Sequence, residues 1–447
     1  MEELATQSAT PTYAADYHRL VGQFRQNGQA WLAPLRDRAM QRFLDLGWPT
    51  LRDEAWRFTD VRPITQTPFV LAEATADVGA DAVAPFSLGD AAAAQLVFVD
   101  GQYRDDLSSL GHLPEGVIVQ SLADAIQDRA DATRRHLGQY ADFEQDAFTA
   151  LNTAFLTQGL FVLVPAGVTL DKPIHALYVA TSGGASGSAG GTQPLVCHPR
   201  NLVIVQDHAS ACVIEHYVSL GDGPSWSNTV TEAVVGANAH LAHYVLELES
   251  QDAFNIQTLR VDQGRDSRFE SHTALLGGAL VRNNIHVELT GEGCNSLVNG
   301  LFVGRDRQHL DNHMRIVHAA PHCDSRQFYK GVLADKSHGV FSGRIVVNKD
   351  AQKTDAKQTN RNLLLSDEAR INTQPQLEIY ADDVKCTHGA TTGQLDEEAL
   401  FYLQARGIPT AEARQLLIHA FAAESLGRMT VTPVRELLER VLAERLA

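Results

Sequence analysis

Cys386 and His388, in the stretch DDVKCTHGATTG from Asp382 to Gly393, are the residues whose types and spacing could do chemistry. In an extended segment, positions i and i+2 point the same way and lie about 6.6 Å apart along the strand. A thiolate and an imidazole presented together could bind a soft or borderline ion such as iron. The same pair could act as nucleophile and base. Two ligands complete neither a tetrahedral nor a cluster site, so a second polypeptide would have to supply the rest. No third residue nearby orients His388 as a triad requires. Taken in isolation, a buried cysteine and a hydrogen-bonded histidine are the plainer reading, and the segment alone leaves all three open.

Other candidates are weaker. HLDNHMRIVHAAPHC spaces His309 and His313 four apart, and His318 and His322 likewise, ending at Cys323. Spacing of four keeps both members of a pair on one face of a helix or strand. Pro321 argues against a helix, and no carboxylate sits at ligand spacing, so histidines in turns and at strand ends are the expected reading. GVLADKSHG, from Gly331 to Gly339, is one residue short of a phosphate loop. Asp335 stands where backbone would have to approach a phosphate, and its carboxylate would repel the ligand. Nucleotide hydrolysis by this chain is therefore not expected. GxSxG, HExxH, GxGxxG and CxxC are all missing from the sequence.

These residues must be positioned by a chain of 447 residues, 44% hydrophobic and 20% charged, an ordinary globular composition. A chain of this length buries roughly three quarters of its unfolded surface and needs no disulfide or structural metal. Its net charge of −17 repels phosphate backbones, which argues against nucleic acid as a partner. The five cysteines, Cys197, Cys212, Cys294, Cys323 and Cys386, are odd in number and widely spaced, as in a reducing compartment. MEELATQSATPTYAADYHRL lacks the basic patch and apolar run of a signal peptide. The strongest apolar stretch, GLFVLVPAGVTL, is short and broken by Pro165, so no membrane span and a cytoplasmic location are expected.

Three regions follow. Residues 1–90 read as helical and irregular, with Leu32, Leu35, Met40, Phe43 and Leu44 at near-helical spacing before Gly47 and Pro49 end the run. Residues 91–393 carry short β-rich runs punctuated by Gly, Asp and Asn, with one helical interruption at DAFTALNTAFLTQG. Gly236, Gly264 and Gly291 recur at nearly regular spacing, the mark of a β-solenoid, although pattern alone leaves an antiparallel sandwich equally open. SGGASGSAGGTQP, residues 182–194, reads as a flexible loop. Residues 394–447 return to helical period, with Leu416, Leu417, Ala420 and Phe421 proposed for one face and Val434, Leu437, Leu438, Val441 and Leu442 for the last helix. This unit reads as a packed bundle or a docking surface, dispensable for folding of the β body.

The stretch from Tyr329 to Ile408, with LEIYADDVKCTHGATTG and ALFYLQARGIP, resembles the SufB/SufD family of scaffold subunits for iron–sulfur cluster assembly. The likeness extends to DAFTALNTAFLTQGLFVLVPAGV and LGWPTLRDEAWRFTD, and so covers nearly the whole chain. Its form is that of the SufD branch. SufB-like chains carry a cysteine on the strand before this turn, where NTQPQLEIY has none, and a glutamate-bearing motif in place of CTHGAT. The resemblance implies a mainly β fold, a right-handed parallel β-helix core flanked by N-terminal and C-terminal helical domains. It implies a SufB partner joined through the last β-helix strands, and SufC ATPase subunits docked on the C-terminal helices. This chain would then be non-catalytic, with a possible homodimer when isolated. His388 would face SufB at a shared site for transient iron or a nascent iron–sulfur cluster, with Cys386 the motif cysteine of less certain role, and no cofactor tightly bound by the isolated chain. A stand-alone β-helix enzyme, such as a polysaccharide lyase, and a Cys-dependent sulfurtransferase are the alternatives.

Overall fold

The computed structural model describes residues 10–26, 30–72, 76–181 and 193–446. The Gly/Ser-rich stretch read as a flexible loop lies outside these residues, except for its last two positions. Runs of alternating side chains between polar turns form strands here, and the strands wind into a solenoid. From Leu160 onward they alternate between two sheets, one of eleven strands and one of ten. In the first, Arg200–Val205, Ser225–Val235, Phe254–Gln263, Leu280–Leu289, His309–His318, His338–Val347 and Arg370–Ile379 pair parallel in that order. In the second, Ile174–Thr181, Ser210–Leu220, His240–Leu248, Arg268–Leu275, Asn295–Gly304, Asp324–Leu333, Asp355–Leu364 and Lys385–Gly393 do the same. Parallel pairing of every second strand decides for the solenoid over the antiparallel sandwich.

The polar punctuation makes the corners. His208, Asn238, Asp266, Gly293, His322 and Lys353 all have positive φ. Each donates its N–H to the neighbouring coil, as Asn238 N does to Arg265 O and Asp266 N to Glu292 O, both at 2.8 Å. Glycine, Asn, Asp and His tolerate this left-handed conformation best. The glycine spacing also has a steric cause. A Cβ on Gly236 would lie 2.7 Å from Asp207 N, and one on Gly291 only 2.1 Å from Arg265 N. The corners of successive coils touch there, and only hydrogen fits between them.

The two ends of the solenoid are built differently. At the first, antiparallel pairs close the sheets: Ala94–Val99 with Gln102–Leu110, and Ile118–Ser121 with Leu160–Val164. The helices Thr10–Gln26, Ala33–Leu46 and Ala147–Ala154 cover the adjoining outer face through an aromatic cluster that includes Tyr13, Phe43, Trp48, Phe148 and Trp226. Met40 and Phe43 face that cluster as the spacing predicts, whereas Leu44 turns outward at 37% exposure. Arg200 and Glu232, 2.7 Å apart and fully buried, tie the loop at Gly138 to the sheet, because Glu232 also accepts the N–H groups of Gly138, Tyr140 and Ala141.

The C-terminal helices correct one expectation. On Thr410–Leu426 the buried face is Ala413, Ile418, Ala422 and Leu426, while Leu416 is 47% exposed and Ala420 is exposed. The small alanines let the helix approach the sheet closely, so the packed stripe is rotated from the one the leucines suggested. On Thr432–Leu446, Val434, Leu438 and Leu442 are fully buried as expected. Both helices share one apolar cluster with Tyr244, Leu301, Val303 and Val332 of the ten-stranded sheet. Lys330 adds a bond to Phe421 O at 2.8 Å and an ion pair with Glu424 at 2.5 Å. This unit belongs to the solenoid's own packing, and removing it would uncover an apolar sheet face.

Candidate functional site

Lys385–Gly393 is the last strand of the ten-stranded sheet and, among the described residues, pairs only with Asp355–Leu364. Because side chains alternate, Cys386 and His388 extend two columns that run through the solenoid interior. Ser325, Ala356 and Cys386 form one, and Gln327, Gln358 and His388 the other. One coil below, Ala356 and Gln358 are buried; at the last coil Cys386 is half-buried and His388 exposed. The sequence-predicted same-side presentation is what the structure shows.

The two side chains have different surroundings. Cys386 packs with Leu377 and Val384 against a small core of Ile345, Val347, Ala351 and Ala356. Burial, and then the nearby Asp355 carboxylate, push its thiol above the ordinary range. A free thiolate is therefore disfavoured there, which weighs against a nucleophile at this position. The His388 side chain makes no hydrogen bond among the described residues, whereas its strand pairs through the backbone with Asp355–Leu364. Beneath it, Gln358 donates Nε2 to Gln327 Oε1 at 2.7 Å, while its own Oε1 is buried without a partner among the described residues. Gly343 opposite is required for this arrangement, since a Cβ there would lie 2.0 Å from Gln358 Nε2. An unused acceptor thus sits one coil below the imidazole. Sequence reasoning missed Gln327 and Gln358, because only the strand register brings them under His388.

The other candidates disperse. His309 and His313 share the outer face of His309–His318, where His309 bonds Thr59 Oγ1 at 2.9 Å and lies ring to ring with His338. Burial lowers His309 to about 4 and His313 to about 3. His318 points into the interior, 2.8 Å from Ser325 Oγ, and His322 lies in the next corner beside Glu292. Among the described residues no three or more His, Cys, Asp or Glu side chains are grouped to hold a metal. The Gly331–Gly339 stretch is the end of one strand, a corner and the start of the next, with no helix behind it. Asp335 there has φ of 52° and accepts Asp306 N at 2.9 Å. No helix among those described is long and apolar enough to cross a membrane.

Comparison with known proteins agrees with this architecture. Residues 187–421 match the family model described as SUF system FeS cluster assembly, SufBD core domain, and residues 7–176 match the SufBD protein N-terminal region. An iron–sulfur cluster assembly SufBD family protein of Synechocystis is 34% identical over 406 residues, 89% of this chain and 87% of its own. The iron–sulfur cluster assembly protein SufD of Escherichia coli is 34% identical over 394 residues, 88% of each chain. The chloroplastic protein ABCI7 of Arabidopsis thaliana is 31% identical over 407 residues, 91% of this chain and 84% of its own. With both halves matched and relatives aligned over most of their length, the chain belongs to the SufBD family of iron–sulfur cluster assembly proteins.

Proposed function

We propose that this chain is the SufD-type scaffold subunit of a complex with SufB and SufC, and that its final coil supplies half of a shared site for iron or a nascent cluster. The observation that carries the reading is the juxtaposition at the open end: Cys386 and His388 project side by side from an edge strand that nothing covers among the described residues. An edge strand carries unpaired N–H and C=O groups and invites a further strand. A SufB-type partner pairing with Lys385–Gly393 and Arg370–Ile379 would bring its own thiolates over His388. Iron is the cargo here. The exposed imidazole offers it a nitrogen ligand, and the Gln358 carbonyl can orient the ring by accepting from the other nitrogen. Cys386, held as a thiol in apolar surroundings, takes a secondary part. The same edges could join a second copy when the partner is missing.

The C-terminal helices dock SufC in this reading. Phe401 is 70% exposed and Tyr402 55%, and Leu416 lines a shallow cavity of about 200 Å³ with Glu412, Gln415, His419 and Ala443. ATP hydrolysis belongs to that partner, since Asp335 occupies the one stretch of this chain resembling a phosphate loop. Five free thiols support a reducing, cytoplasmic setting. Co-expression with SufB and SufC, followed by sizing and iron analysis, tests the proposal. A co-eluting complex that holds more iron than SufB and SufC alone is the expected result. Elution of this chain by itself, or equal iron without it, would overturn the reading.

A further inference from the structure

We propose that Cys294 and Cys323 form an oxidisable dithiol, which hydroperoxides convert into a disulfide joining two neighbouring coils. At one corner of the solenoid a single interior column is filled by Ala209, Ala239, Ser267, Cys294, Cys323 and Thr354, all essentially inaccessible. Its register is fixed by an unbroken ladder of backbone bonds. Asn295 N donates to Ser267 O at 2.9 Å, Asp324 N to Cys294 O at 2.8 Å, and Asp355 N to Cys323 O at 3.1 Å. The rest of the column holds Ala, Ser or Thr, and only two successive coils carry thiols. Neighbouring strands lie about 4.8 Å apart, inside the Cα separation of about 4.4–6.8 Å that a disulfide spans. The sulfurs also converge, because Gly291 O lies 3.0 Å from Cys294 Sγ and 3.3 Å from Cys323 Sγ.

The pair sits one layer beneath the surface. Above it are the exposed side chains of Glu292 and His322, on a corner whose Gly291 and Gly293 leave little cover. The contact between the two thiols lowers Cys294 and raises Cys323. In the proposed step Cys294 is the attacking sulfur, and exchanging the two roles gives the same disulfide. Its thiolate takes one oxygen from hydrogen peroxide, the O–O bond breaks, and hydroxide leaves as water after gaining a proton. The resulting sulfenic acid is attacked by the Cys323 sulfur; the S–O bond breaks and a second water departs with the Cys323 proton. Two thiols lose two electrons, and one peroxide becomes two waters.

The test exposes the native full-length chain to hydrogen peroxide, blocks remaining thiols, and maps the unreduced peptides by mass. The expected result is a Cys294–Cys323 linked peptide that disappears on reduction. It should also be absent from Cys294→Ser and Cys323→Ser, substitutions the column accommodates as it does Ser267. Recovery of both residues as free thiols after peroxide, or their linkage to other cysteines, would overturn the proposal.

Discussion

The coil made by Asp324–Leu333 and His338–Val347 and the final coil made by Arg370–Ile379 and Lys385–Gly393 have the same strand direction and in-register pairing. They differ in what lies beyond them. In the inner coil Tyr329, Leu333, Phe341 and Val347 are buried, sandwiched between coils on both sides. In the final coil the columns of Tyr329, Phe341 and Val347 end in Ala390, Thr373 and Ile379, and that of Gln327 in His388, none of them buried. Backbone regularity is therefore independent of side-chain burial here: pairing on one edge suffices to hold the last strands. Inner-coil side chains are covered on both sides, and final-coil side chains are covered on one side only among the described residues.

Substitutions can break or sharpen this contrast. The largest effect is expected at Arg200→Met, which leaves Glu232 charged and buried without its ion partner. Loss of one member of such a pair costs about 3–5 kcal/mol, to be read from the denaturant midpoint at unchanged slope. Next comes acid. Burial lowers His309 and His318 to about 4, so between pH 6.5 and 4 the unfolded chain binds protons that the folded chain refuses. The stability they contribute is present above the unfolded pKa and is lost as pH falls, by about 1.4 kcal/mol per pH unit for each histidine. His318→Gln should flatten that slope. Smaller still is Cys386→Ser, which disturbs a half-buried apolar contact. It should cost about 1 kcal/mol and lower cluster yield less than a change at His388.

Much of this was legible in the sequence, for reasons that differ from residue to residue. The recurrent glycines Gly236 and Gly291 were visible because neighbouring corners would collide with any Cβ. The same-side projection of Cys386 and His388 follows from strand periodicity alone. Solenoid and sandwich were indistinguishable by pattern, because both cut a chain into short strands between polar turns, and resemblance rather than periodicity favoured the former. The stacking of Gln327, Gln358 and His388 was invisible, since it depends on register between segments about thirty residues apart, and alternation predicts apolar interiors. The helix Thr410–Leu426 misled through its Leu416–Leu417–Ile418 run, which offers several apolar faces. Contact with the sheet selected the one lined by alanines. The pairs His309/His313 and His318/His322 share one spacing in sequence, but the first lies on the outer face of a strand while His318 points inward and His322 lies in the next corner, so spacing of four carried no site.

His388 is functional rather than structural if the final coil supplies half of a shared site. His388→Ala in the complex with SufB and SufC should change the unfolding free energy by no more than a surface substitution does, about 0.5 kcal/mol or less, and leave SufC binding intact. Cluster or iron content per complex, measured on the same preparation, should fall severely, because alanine cannot coordinate a metal. Normal cluster content in the variant, or a loss that merely tracks unfolding, would contradict the shared-site account and return His388 to an ordinary place in the fold.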